Sequence, residues 1–353
     1  MTELTTFLQR YRVHVAVILA NACFAAVFAT IALSGFHQPT PYELPVGIVA
    51  PKPVTEELER GIAERMPGHF DLRPLPSESR ARAEIGSRDI DGALIVSPGG
   101  FHLLTAEAGG TAPAQAITGA FSAIAAQTGR PLSTTDVVPP GSEDTEALSS
   151  FFVILRVLFP SLAAGIAAGH ALRRSPLRAR LSVLIAVAGI AGLAAAAIAD
   201  GISGLHHYWA IAGIVALFSL AISAPTAALG QIKPHLVALC VLAFLVFGIP
   251  ASGGPANLAQ FAPDFLRSLG SALPLGVAAA TVRNTVYFHG AATEGRLWVL
   301  TAFAAGGTAL WCLLVLVDFQ STAGGRRQTQ LTPARTSPSH RVTTSDHTAG
   351  CET

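Results

Sequence analysis

Runs of apolar residues at 13–36, 151–172, 181–199, 208–229 and 297–317 are each long enough to cross a bilayer, whose hydrocarbon core of about 30 Å takes roughly 20 residues of helix. Such a chain folds as a lipid-embedded helical bundle, because hydrocarbon offers backbone polar groups no partner outside their own helix. A sixth run, 236–249, spans only about 21 Å at 1.5 Å per residue and ends in the breaker-rich Gly248-Ile249-Pro250. It reads as a sixth span with a deformed end. The composition, 51% hydrophobic against 13% charged over 353 residues, agrees. With 23 Lys+Arg against 22 Asp+Glu, the net charge of +1 is too balanced for the basic footprint that nucleic-acid binding needs. The lipid bilayer is the expected partner, and nucleic acid is not.

Fifteen of the 22 acids fall between residues 37 and 150, so one polar block sits between apolar flanks. Strand-like segments at 45–50, 69–75, 91–96 and 101–106 alternate with helix-like segments around 56–66, 78–86 and 114–127, followed by a Pro/Gly/acid linker at 139–146. This order predicts an α/β domain of a size that sustains one small core and folds alone. The block contains no cysteine: Cys23, Cys240 and Cys312 lie in spans and Cys351 in the tail. No Cys/His spacing resembles a zinc site, so neither metal nor cofactor is expected.

Arg10 and Arg12 precede the first run, whose apolar core exceeds that of a signal peptide, so an uncleaved anchor is expected. With alternating spans, residues 1–12, 171–180, 231–235 and 319–353 share one side and carry 11 bases against three acids, while loop 201–207 has no Lys or Arg. The positive-inside rule then places both termini in the cytoplasm and residues 37–150 outside. The expected organisation is an N-terminus and first span (1–36), an extracytoplasmic domain (37–150), a five-helix membrane domain (151–318) and a disordered cytoplasmic tail (319–353). Twenty-one Arg against two Lys suggest a GC-rich bacterium, hence a bacterial cytoplasmic membrane.

The segment between the fifth and sixth spans carries the most information. Pro250-Ala251-Ser252-Gly253-Gly254-Pro255 breaks the fifth span, 261–273 has helical apolar spacing, Pro274 breaks it again, and 275–288 is mostly apolar. Both pieces are too short to cross. Irregular backbone at membrane depth persists only where it is buried in protein or lines a cavity, so a re-entrant helical pair at 250–290 is predicted. Arg156 is a charge well inside a predicted span; it reads either as a functional intramembrane charge or as a side chain snorkelling to the interface. Gly201-Ile202-Ser203-Gly204 is similar to the serine motif of rhomboid intramembrane proteases, but no later span offers a histidine base within the membrane, and a glycine-rich turn is expected instead. His206 to Trp209 read as an interfacial belt. No Walker A sequence occurs, so the chain is expected to be no enzyme and to hydrolyse no ATP itself.

With these residues in view, the chain resembles the ABC-2 type permease superfamily, and within it the YhgE/Pip-like membrane proteins. The resemblance rests on Pro250, Ser252-Gly253-Gly254, Pro263, Phe265, Leu273-Pro274 and Arg283, and on a large insertion after one N-terminal span. Ala262 stands where the family has leucine. The resemblance implies an export permease subunit that dimerises, moves an amphipathic or lipid-like substrate, uses a separate ATPase subunit and gates through Pro250, Ser252, Gly253, Gly254, Pro263, Pro274 and Arg283. Such permeases present an acidic coupling helix to the ATPase, whereas residues 171–180 here are basic and interrupted by Pro176. The alternative is a non-transporting envelope scaffold or receptor whose outer domain binds a partner.

Overall fold

The computed structural model describes residues 40–254 and 258–330, together with Val15, Leu19, Ala22, Cys23, Ala25, Ala26, Ala29 and Thr30. Apart from those isolated positions, the expected first span (13–36) lies outside the described residues, as do 331–353. The chain divides into a compact unit, Met1–Leu314, and a second, Val315–Thr353.

Strand β1 (Leu44–Val49) is apolar along its whole length, with Leu44, Val46 and Ile48 fully buried, as befits an inner strand covered on both faces. Pro51 stops it, and helix α1 (Lys52–Arg65) follows with a proline in its first turn, where a missing N–H costs nothing. β2 (Phe70–Pro74) returns parallel to β1, with Val46 opposite Leu72. The Ser77 hydroxyl accepts the Arg80 N–H at 3.2 Å and so caps α2 (Glu78–Gly86). β3 (Gly92–Ser97) then pairs with the other side of β1, β4 (Gly100–Thr105) turns back antiparallel, and α3 (Thr111–Thr128) leads to β5 (Leu132–Asp136), parallel to β4. The sheet order is β2-β1-β3-β4-β5. Sequence reading had no element at β5.

Because side chains alternate along each strand, one sheet face carries Leu44, Val46, Leu94 and Leu103 against Ile62 of α1 and Ile117 and Phe121 of α3. The other face carries Ala93 and Leu104 against Ala81 and Ile85 of α2. Its cluster is completed by Phe288, a residue from the membrane half of the chain.

Among the described residues five helices are long and apolar enough to cross a membrane: α4 (Ser149–Ala171), α5 (Leu177–Ser203), α6 (Tyr208–Ile232), α7 (Pro234–Ala251) and the 294–318 stretch of α10 (Glu294–Gln330). They correspond to the five later predicted spans. α6 sits centrally, with Ile211, Val215, Phe218 and Ile222 in the core. α4 meets it through Gly165 and Gly169, four residues apart; a Cβ on Gly165 would stand 2.5 Å from the Ser223 carbonyl. Small residues at this spacing let backbones approach where no hydrophobic driving force acts. A buried 2.8 Å bond between the Ser161 and Ser219 hydroxyls adds to the contact.

At the far end of the bundle the short turn between α4 and α5 is clamped by Arg180. Its guanidinium is buried, donating to Ser175 O at 2.9 Å, to Gln231 Oε1 of α6 at 3.0 Å and to the Arg173 carbonyl. α5 ends at Ser203, with Gly204 in the left-handed conformation that caps helices, and His206 faces Asp200 at 3.0 Å. Trp209 and Trp298, at the starts of α6 and α10, are 78% and 67% exposed, as aromatic side chains at a membrane interface are.

α7 loosens into π-helical turns over Leu242–Phe247, just ahead of Pro250; proline lacks the donor for an i→i−4 bond and its ring crowds the preceding turn. Beyond it, α8 (Asp264–Ala272) and α9 (Pro274–Tyr287) are bent by 70° against each other at Leu273. α9 enters the bundle core, with Leu275, Ala278 and Val282 buried beside α4 and α6. α8 buries Leu266 against Ala251 and Ala262 and leaves Phe265 exposed. α10 is continuous to Gln330, into the stretch 319–353 expected to be a disordered tail, of which 331–353 lie outside the described residues.

Candidate functional site

The bend between α8 and α9 closes around a cavity of about 290 Å³. Pro250 is buried in the last turn of α7. Ser252 donates its hydroxyl to Ile249 O at 2.6 Å and accepts the Gly254 N–H at 3.2 Å, which pins the turn. Gly253 and Gly254 follow with φ of 75° and 63°. A Cβ on Gly276 would stand 2.9 Å from the Gly270 carbonyl and 3.1 Å from Ser252 Cα, so a bare backbone at the start of α9 lets three segments meet. Pro263 precedes α8 and Pro274 opens α9.

Four arginines from four elements line this space: Arg88, Arg267, Arg283 and Arg296. Arg88 stands in the turn after α2 at a left-handed φ of 67°. Its Nη1 lies 3.1 Å from Asp91 Oδ1, and its guanidinium stacks over the Phe288 ring at 4.7 Å. A side chain at Gly109 would collide with that guanidinium. Arg267 of α8 pairs with the exposed Asp264 and stacks 3.7 Å over the Tyr42 ring. Arg283 of α9, 4% exposed, faces the like charges of Arg88 and Arg296 and the carboxylate of Asp144. Arg296 of α10 donates to the Ala292 carbonyl of its own turn.

The cavity joins the two halves of the protein. The Tyr42 N–H donates to Gln260 O at 3.1 Å. Asp144, in the stretch expected to be a linker, is buried; one carboxylate oxygen accepts the N–H groups of Leu148 and Ser149 at 3.0 Å each, and the other accepts the Tyr287 hydroxyl at 2.6 Å. The segment thus ties the start of α4 to the end of α9.

Of the residues singled out from sequence, Ser252 and Arg283 line the cavity, and Pro250, Gly253, Gly254, Pro263 and Pro274 shape the segments around it. Arg156 does not belong to it. It is exposed on α4 beside α5, in a groove of about 340 Å³ walled by Val153, Val157, Val187 and Ile190. Sequence reading missed Arg88, Arg267 and Arg296. The signal for two of them was topological: Arg267 and Arg296, like Arg283, are bases on a stretch predicted to lie outside, against the usual bias.

A second cavity, of about 550 Å³, lies in the α/β domain. It opens at the carboxyl ends of β1 and β3, between Pro51, Leu58 and Ile62 on one side and Val96, Phe101 and Arg130 on the other. Strand order reverses between β1 and β3, and open α/β sheets hold ligands at such switch points. Among the described residues no three His, Cys, Asp or Glu side chains gather as metal ligands would; the chemistry at the broken span is that of guanidinium groups. No family model matches the chain, and no curated protein or solved structure is similar enough to count as a relative.

Proposed function

We propose that this protein is an ABC-2-like permease subunit of a bacterial cytoplasmic membrane, exporting an amphipathic or lipid-like substrate as a homodimer with a separate ATPase. In this reading the α/β domain lies outside and the α8–α9 pair is a re-entrant gate. The observation that carries it is the broken span: a 70° bend at Leu273 borders an arginine-lined cavity where the apolar bundle meets the α/β domain. Backbone of that kind at membrane depth is kept where a path or a site needs it. The test is purification of the tagged protein from its native membranes under mild detergent. A stoichiometric subunit carrying a Walker A sequence supports the permease; its consistent absence favours the alternative.

That alternative, an envelope scaffold or receptor, draws on two observations. The turn between α4 and α5 holds no acidic coupling helix and is locked by Arg180. The cavity at the β1/β3 switch point gives the α/β domain a binding site of its own.

A further inference from the structure

We propose that the arginine-lined cavity at the broken span is a binding site for a phosphate-type oxyanion, either the headgroup of an anionic phospholipid or free phosphate. The inference stands whether or not the protein transports, because it follows from charge and geometry at one place. Four guanidinium groups converge on about 290 Å³, against three nearby carboxylates, Asp91, Asp144 and Asp264. Asp144 is engaged by the start of α4 and by Tyr287. Asp264 holds Arg267 from the solvent side, with its side chain 80% exposed. Asp91 is buried and paired with Arg88, and buried Asp144 also acts on Arg283, which leaves four cations facing three anions.

Arg296 and Arg283 each face the charge of Arg88. Like charges held together away from water are costly unless an anion offsets them. Donors are also left over: the Nε of Arg88 and one terminal nitrogen of Arg267 are buried without a hydrogen-bond partner among the described residues. The guanidinium fork matches the spacing of phosphate oxygens, and so favours that class over a halide.

Depth fits a headgroup as well as a free ion. Trp298, two residues beyond Arg296 on the same helix, is exposed, and tryptophan collects at the level of the headgroups. In this reading the cavity arginines would stand at the level of lipid phosphates.

The test uses the full chain and two probes. Thermal unfolding is measured in neutral detergent with sodium phosphate against sodium chloride at equal ionic strength, and in nanodiscs of phosphatidylglycerol against phosphatidylcholine. Arg296→Gln is the main variant, since Arg296 bonds to the carbonyl of its own turn; Arg267→Gln is the second, with the lost stacking on Tyr42 read from its unfolding temperature without anion. At least one probe is expected to raise the unfolding temperature of the unchanged protein. Each variant is expected to weaken apparent affinity about tenfold, the worth of one charge-assisted contact. Without anion, Arg296→Gln should unfold at the same temperature as the parent or higher, because it relieves repulsion with Arg88; a purely structural arginine would lower it. A response to phosphate assigns a free oxyanion, and a response to phosphatidylglycerol alone assigns a lipid headgroup. No response to either probe, or an undiminished response in both variants, overturns the proposal.

Discussion

Gly253 and Gly254 hold successive left-handed backbone angles, and at Gly254 that angle is the whole requirement, since a Cβ there would meet nothing within 4 Å. Gly276 differs: it is the space that is needed, between Gly270 and Ser252. Gly254→Ala should therefore cost only about 1–2 kcal/mol, the penalty of a left-handed angle, and leave the anion response intact. Gly276→Val should cost about 3 kcal/mol by overpacking and abolish that response, because it pushes Ser252 away from α9. Detergent unfolding of the two variants checks this; equal effects would mean that the turn and the contact are not separate devices. Ser252 and Arg283 were legible as site residues because breakers and an isolated charge stand out in an apolar run. Arg88, Arg267 and Arg296 were not, since only tertiary packing brings positions so far apart in sequence around one space.

Elements were legible where periodicity reports burial and hidden where it does not. The inner strands and the long helices carry strong patterns, whereas β5, Leu-Ser-Thr-Thr-Asp, is a polar edge strand held by pairing with β4 rather than by a buried face. The Gly165/Gly169 pair was readable as a small-residue interface and went unused. The 139–146 stretch misled by composition, because its acid content suggests solvent while Asp144 is 6% exposed. Asp144→Ala should cost about 3 kcal/mol, since it strands two backbone donors at the start of α4 and the Tyr287 hydroxyl together. Tyr287→Phe should cost less, about 1–2 kcal/mol, because Asp144 keeps its other donors when the Tyr287 hydroxyl is lost. Unfolding of both variants and of their combination gives the coupling; Asp144→Ala no worse than Tyr287→Phe would show that the segment is a loose linker after all.

For the whole molecule, membrane embedding and an α/β insertion were apparent from the placement of apolar runs and acids. What no local pattern showed is that the insertion is built into the membrane half. Phe288, at the end of α9, is 2% exposed in the cluster beneath the sheet, so a fragment of residues 37–147 would leave that face incomplete. Arg88 reaches the other way, from the α/β domain into the cavity wall. A displacement of α9 would have to be accommodated at the sheet, as the proposed gate would require.

Ser271 is exposed and borders the cavity, which makes it the position where gate and orientation can be read together. A cysteine there, in a chain freed of its four native cysteines, is to be labelled in intact cells with a membrane-impermeant thiol reagent, with the membrane energised and then de-energised. A re-entrant gate beneath an external domain predicts labelling from outside without permeabilisation, at rates that differ several-fold between the two states. Labelling that needs permeabilised cells, or that proceeds at one rate in both states, would contradict it.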